Sequence, residues 1–188
     1  LRSPLVFLGN IQPDLQLAVA RSIISTEYIV SDTMNLWIDM CPDKVKEVLA
    51  ISNIFLLNHE EAYQFTGIKD IPKAARHLHA AGPDVVVIKR GADGAYLSFE
   101  DRAFYIPVFP VERVIDPTGA GDSFAGGFMG CLAQADNPDF VESVLTGAAV
   151  ASLSIENFGP ESLLHITKED LNGRIASIRG RIYEEEGA

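Results

Sequence analysis

Between Asp116 and Phe128 the chain reads Asp-Pro-Thr-Gly-Ala-Gly-Asp-Ser-Phe-Ala-Gly-Gly-Phe. Here a strand feeds a loop of small residues, and a helix opens directly after it. The first N–H groups of a helix are unpaired, and its N-terminus carries partial positive charge. Gly119, Ala120 and Gly121 leave nothing between those donors and an anion. Asp122 follows in the first helical turn, an acceptor-only carboxylate beside the anion hole. A phosphate-cradling surface next to a single base suits transfer of a phosphoryl group to an alcohol. The plainer reading of the same residues is a loop that permits close packing and an Asp that caps a helix. Other motifs are excluded. No Gly-x4-Gly-Lys-Ser/Thr is present, Phe124 stands where a dinucleotide fingerprint needs its third Gly, and Phe124-Ala125-Gly126 after Ser123 breaks a nucleophile elbow.

Two other stretches carry polar groups at the end of apolar runs. Asn58-His59-Glu60-Glu61 follows Ile54–Leu57, and Asn with Glu three residues on is also an ordinary capping box. Lys89-Arg90-Gly91-Ala92-Asp93-Gly94 follows Val85–Ile88, and Lys89 by itself is a strand-end lysine. His77 and His79 fall on opposite sides of a helix and read as surface residues, as do His59 and His165. Trp37 reads as core or rim. Asp32 and Asp39 have no matching partner motif and receive no role.

The elements that must position these residues alternate. Strands are expected at Val6–Leu8, Tyr28–Val30, Ile54–Leu57, Val85–Ile88, Ala95–Phe99, Ala103–Ile106 and Val108–Val114. Helices are expected at Asp14–Ile24, Pro42–Ala50, Glu60–Phe65, Ile71–Ala81, Ser123–Ala135, Asp139–Glu156 and Lys168–Glu184, with Pro117–Gly121 as a loop. Four β-branched residues in a row, Val85 to Ile88, fit a strand buried on both faces. The alternation predicts one α/β domain over residues 1–188, a mainly parallel sheet with helices on both faces. The acidic run Glu184-Glu185-Glu186 reads as a solvated tail.

Composition narrows the function classes. The chain has 188 residues, 47% hydrophobic and 22% charged, with a net charge of -11. That charge disfavours a nucleic-acid binder, which needs a basic footprint. An anionic ligand would have to be held locally. Cys41 and Cys131 form no Cys-x-x-Cys pair, so neither a zinc knuckle nor a disulfide framework is expected. No apolar run approaches a membrane span, and the first residues do not read as a signal peptide. The expectation is a cytoplasmic protein without a membrane partner.

Taken together, the stretch Asp116–Phe128, the Asn58–Glu61 motif with the following Ala62–Gly67, and the Lys89–Ala95 turn resemble the PfkB, or ribokinase-like, carbohydrate kinases. All three occur in the family's order. The resemblance implies a three-layer α/β/α fold and use of ATP with Mg2+. It implies Asp122 as general base and the N–H groups of Gly119, Ala120 and Gly121 as an anion hole. It implies that Asn58 and Glu61 organise Mg2+ and phosphate. Lys89, Arg90, Gly91, Ala92, Asp93 and Gly94 would line the nucleotide phosphates and ribose. Ala148, Ala151 and Ser152 would leave room for adenine. Asp116 lies where relatives place a monovalent-cation ligand such as one for K+. The early Gly-Gly motif and small β-lid of that family, in an N-terminal third that supplies most sugar contacts, are not visible. The implied function is that of the C-terminal, nucleotide-binding part of an ATP-dependent sugar kinase. The alternatives are an adenosine-type nucleoside kinase and a nucleotide-binding module without turnover. An open sheet edge near Val6–Leu8 would favour a homo-oligomer.

Overall fold

The computed structural model describes residues 2–134 and 137–185. They fall into two compact units, residues 2–90 with 96–103, and residues 91–95 with 104–185.

The first unit is built on parallel strands β1 (Leu5–Leu8), β2 (Tyr28–Asp32), β3 (Ile54–Asn58) and β4 (Val85–Lys89). They lie in chain order, with β5 (Ala95–Phe99) next after β4. β3 and β4 are buried at four successive positions, so both faces of the sheet are covered there. This is what the apolar runs of Val, Ile and Leu require. The crossovers are α1 (Pro13–Ser22), α2 (Asn35–Met40) with α3 (Pro42–Ile51), and α4 (His59–Thr66) with α5 (Ile71–His79). α1 packs on α3, α2 on α4 and α4 on α5. Local chemistry sets the helix starts: Pro occupies the first turn of α1, α3 and α5, where a missing N–H costs nothing. Asp70 caps α5 by accepting the Lys73 N–H.

The second unit holds most of β6 (Arg102–Ile106), then α6 (Ala120–Leu132), α7 (Phe140–Ser154), α8 (Glu161–Leu164), α9 (Lys168–Arg179) and β7 (Tyr183–Glu185). β6 and β7 are neighbours in the sheet, and their Tyr105 and Tyr183 rings lie 6.2 Å apart. α6 packs along α7, and α7 on α8 and α9.

Several expectations are corrected. Val108–Val114 is not a strand: Pro107 and Pro110 remove ladder donors, and Glu112 to Val114 are exposed. The helix from Lys168 ends at Arg179, and Tyr183–Glu185 pairs into the sheet instead of continuing it. Glu184 and Glu185 therefore belong to a strand, not a solvated tail; Glu186 lies outside the described residues. β2 runs on to Asp32, two residues past its expected end. α2 and α8 are additional helices. α6 begins at Ala120, inside the expected loop, and its expected end at Ala135 lies outside the described residues. His79 is half-buried, its ring nitrogens 2.8 Å from the Pro83 carbonyl and 2.9 Å from Ser98 Oγ. Trp37, half-buried, donates from Nε1 to Asn10 Oδ1.

Candidate active site

In the first unit the polar groups gather at the C-terminal ends of parallel strands. β2 ends in Asp32, β3 in Asn58 and β4 in Lys89. Open α/β sheets take ligands at that end, where strand ends give way to loops and helix N-termini. Asn58 and Glu61 form a reciprocal capping box. Glu61 N–H donates to Asn58 Oδ1 at 2.9 Å, and Asn58 N–H donates to Glu61 Oε2 at 2.7 Å. The plain capping reading of these two residues is thus realised, and it accounts for one oxygen of Glu61. Glu61 is 5% exposed, and burial pushes its carboxyl above the ordinary range. The Asn58 N–H and the Lys89 ammonium pull the other way. Lys89 is beside Asn58 in register and reaches Asp32, with Nζ 3.2 Å from Oδ2.

In the second unit the loop before α6 is tied to the end of α7. Ile115 and Asp116 N–H groups both donate to the Ile155 carbonyl, at 2.8 and 3.3 Å. Asp116 Oδ1 accepts the Thr118 N–H at 2.9 Å. The Thr118 hydroxyl and N–H, with the Gly159 N–H, hold the Asp116 carboxyl below the usual carboxylate range. The chain then turns at Gly119, whose φ of 75° is left-handed and strained for any residue with a Cβ. Gly119 is the N-cap of α6 and supplies no side chain to cap it, and space around its Cα is open. Gly121 and Asp122 are exposed in the first turn. Asp122 is therefore not the cap of its helix, and its carboxylate stands free of that role. One predicted anion donor is engaged: the Ala120 N–H donates to the Pro117 carbonyl at 3.1 Å.

The remaining predicted residues are placed as follows. Gly91, Ala92 and Asp93 form an exposed single turn of 3-10 helix, closed by the Gly94 N–H on the Gly91 carbonyl. Arg90 is half-buried at the end of the first unit. Ala148 and Ala151 are half-buried on α7. Ser152 is 5% exposed and already engaged: its hydroxyl donates to the Ala149 carbonyl and accepts from Arg174 Nη1. The structure thus brings Asn58, Glu61 and Lys89 together in one unit, and Asp116 and Gly119 to Asp122 in the other.

Three residues escape the sequence reading. Asp32 is one: it has no partner motif in the sequence, and it lies two residues past the expected end of β2 at Val30. Its position at the end of an apolar run is the signal that would have found it. Gln16 and Arg174 carry no sequence signal, since their partners lie in other elements. Among the described residues, no group of three or more His, Cys, Asp or Glu is placed to hold a metal ion. None of their helices is long and apolar enough to cross a membrane.

Known proteins resemble this chain in sequence and in fold. The profile of the pfkB family carbohydrate kinases matches residues 16–166. A cytidine kinase from Thermococcus kodakarensis is 40% identical over 89 residues, 46% of this chain and 32% of its own length. A ribokinase from Haemophilus influenzae is 33% identical over 130 residues, 66% of this chain and 42% of its own. The chain thus spans less than half the length of these curated relatives. The crystal structure of aminoimidazole riboside kinase from Salmonella enterica, complexed with aminoimidazole riboside and an ATP analog, has a similar fold. Its TM-score is 0.74 at 23% identity, covering 92% of this chain and 64% of that one.

Proposed function

The chain belongs to the pfkB family of carbohydrate kinases, and on that premise we propose that it carries the nucleotide-binding, catalytic part of an ATP-dependent kinase acting on a hydroxymethyl group of a sugar or nucleoside. One observation carries the reading: α6 opens on a left-handed Gly119 without a side-chain cap, and Asp122 is exposed in its first turn. This puts the Gly121 N–H and a carboxylate on the same exposed turn.

In the proposed step the substrate oxygen forms a bond to the γ-phosphorus, and the bond from that phosphorus to the β–γ bridging oxygen breaks. Asp122 accepts the hydroxyl proton. The N–H groups at the start of α6, Gly121 foremost, face the transferring phosphoryl as fixed dipoles, which need no reorganisation as charge develops. Lys89 and the Gly91–Gly94 turn serve the nucleotide. Were Mg2+ bound, Glu61 would face it with the carboxylate oxygen that lies outside the capping box, and Asn58 would hold Glu61 in place. When bound, such an ion neutralises phosphate charge. The Asp116 carboxylate already accepts hydrogen bonds from Thr118 and Gly159.

A nucleoside substrate is the second reading, supported by the 40% identity to a cytidine kinase over 89 residues. A nucleotide-binding module without turnover is the third. Calorimetry with AMP, ADP and ATP, followed by phosphorylation assays over sugars and nucleosides, separates the three. Where turnover is found, Asp122→Asn is expected to keep nucleotide affinity and lower kcat by ~10²–10⁴-fold. Retention of more than about half of kcat would remove Asp122 from the role of base.

A further inference from the structure

Asp32 ends β2 and is 6% exposed. Its Oδ1 accepts the Thr33 N–H at 2.8 Å, and its Oδ2 lies 3.2 Å from Lys89 Nζ. Lys89 ends β4, and β3 runs between the two strands. The lysine side chain therefore crosses the C-terminal end of β3, where the Asn58–Glu61 capping box sits. The main chain of Asp32 is held independently. Gln16 of α1, 2% exposed, donates its side-chain amide to the Asp32 carbonyl at 3.0 Å. The same amide donates to the Leu8 and Gly9 carbonyls at the end of β1, at 2.9 and 2.8 Å. Asp32 is thus fixed on both its backbone and its carboxylate.

Such a pair is a poor way to gain stability. Removing two charges from water costs about as much as their attraction returns, and apolar residues of similar size serve as well. Pinning a four-carbon side chain adds an entropic cost. What the pair does provide is a fixed positive charge at the ligand-binding end of the sheet, on a side chain still 17% exposed. We infer that Asp32 is a positioning residue that holds the Lys89 ammonium over the Asn58–Glu61 turn for the β- and γ-phosphates of a nucleotide. The inference rests on the nucleotide-binding reading above and adds to it a residue that does not itself touch the nucleotide.

The test compares AMP, ADP and ATP, each with Mg2+, by calorimetry on the wild type, Asp32→Asn, Lys89→Met and the double variant. Asp32→Asn is expected to weaken ATP about tenfold, the effect of one charge-assisted hydrogen bond. AMP, which lacks the outer phosphates, should change less than about twofold by the same accounting. Lys89→Met should match it, and the double variant should be no worse than Lys89→Met alone. Equal weakening of all three nucleotides marks a general structural role and overturns the inference, as does an unaltered ATP affinity or additive losses in the double variant. Should Asp32→Asn not fold, the wild type decides. ATP is expected to slow acetylation of Lys89 more than AMP does, and equal rates overturn the inference. A wild type that takes up none of the three nucleotides overturns the underlying reading as well. Nucleotide binding indifferent to Asp32→Asn overturns the inference alone.

Discussion

Gly127 of α6 and Gly147 of α7 meet backbone to backbone. A Cβ on Gly127 would lie 3.0 Å from Gly147 Cα, and a Cβ on Gly147 would lie 2.7 Å from the Phe124 carbonyl oxygen. The two helices cross closely because both positions lack a Cβ. Phe124 and Phe128, 5% and 0% exposed, stack on the same helix with centroids 6.5 Å apart. The run from Asp116 to Phe128 thus divides by physical role. Its first part, through Asp122, is open and polar; its second part, from Phe124, is packing.

Adjacent glycines should therefore respond oppositely. Gly127→Ala forces a methyl into backbone and Val150, and is expected to cost about 1–3 kcal/mol. Gly126 has open space around its Cα, so Gly126→Ala should stabilise by up to ~1 kcal/mol through helix propensity. Urea midpoints of the two variants check this, and equal effects would contradict the close crossing.

Arg174 of α9 gathers three contacts in the second unit. Its Nη1 donates to Ser152 Oγ at 2.9 Å, its Nη2 pairs with Glu156, and its Cζ lies 4.4 Å over the Phe109 ring. Arg174→Met keeps volume against Phe109 but leaves Glu156 and Ser152 without their donor. A loss of about 2 kcal/mol is expected from urea unfolding. A change under ~0.5 kcal/mol would place the pair among ordinary surface bridges.

Acid should loosen α9 first at its start. Thr167 and Asp170 form a capping box, and the Thr167 hydroxyl and N–H hold the Asp170 carboxyl below its ordinary 3.8. A lowered folded value stabilises above the ordinary one, and that contribution fades as pH falls through the folded value. The melting-temperature gap between wild type and Thr167→Ala should be constant at neutral pH and narrow below the ordinary aspartate range. A gap that widens in acid would reverse the sign.

β1 begins the strand order, pairs with β2, and carries Phe7 at 39% exposure. An edge of this kind offers backbone donors and acceptors to another chain. Self-association rising with concentration in sedimentation is expected, and Phe7→Lys should reduce it without changing the circular dichroism. A wild-type monomer across the same range would remove β1 as an association surface.

The readings that hold from sequence alone are local in origin. Val85–Ile88 is a buried strand because four branched apolar side chains in succession require cover on both faces. Asn58 and Glu61 cap α4 because their spacing matches a single helical turn. Asp122 falls in the first turn of α6 because Gly119 bends the chain just before it. Each depends on forces acting within a few residues. Other features depended on where distant elements came to rest. Asp32 and Lys89 are 57 residues apart, and only the pairing of β2, β3 and β4 in register puts one within reach of the other. Gly127 falls within the expected helix from Ser123, but only the placement of α7 shows that a side chain there would meet Gly147 and Thr146. Val108–Val114 has strand composition but pairs with no strand among the described residues, and Tyr183–Glu185 has helix-like neighbours but pairs beside β6. Sequence determined which side chains and turns were available. Tertiary structure decided which of them met, because pairing and burial between distant segments are set by the packing of the chain and not by any local preference.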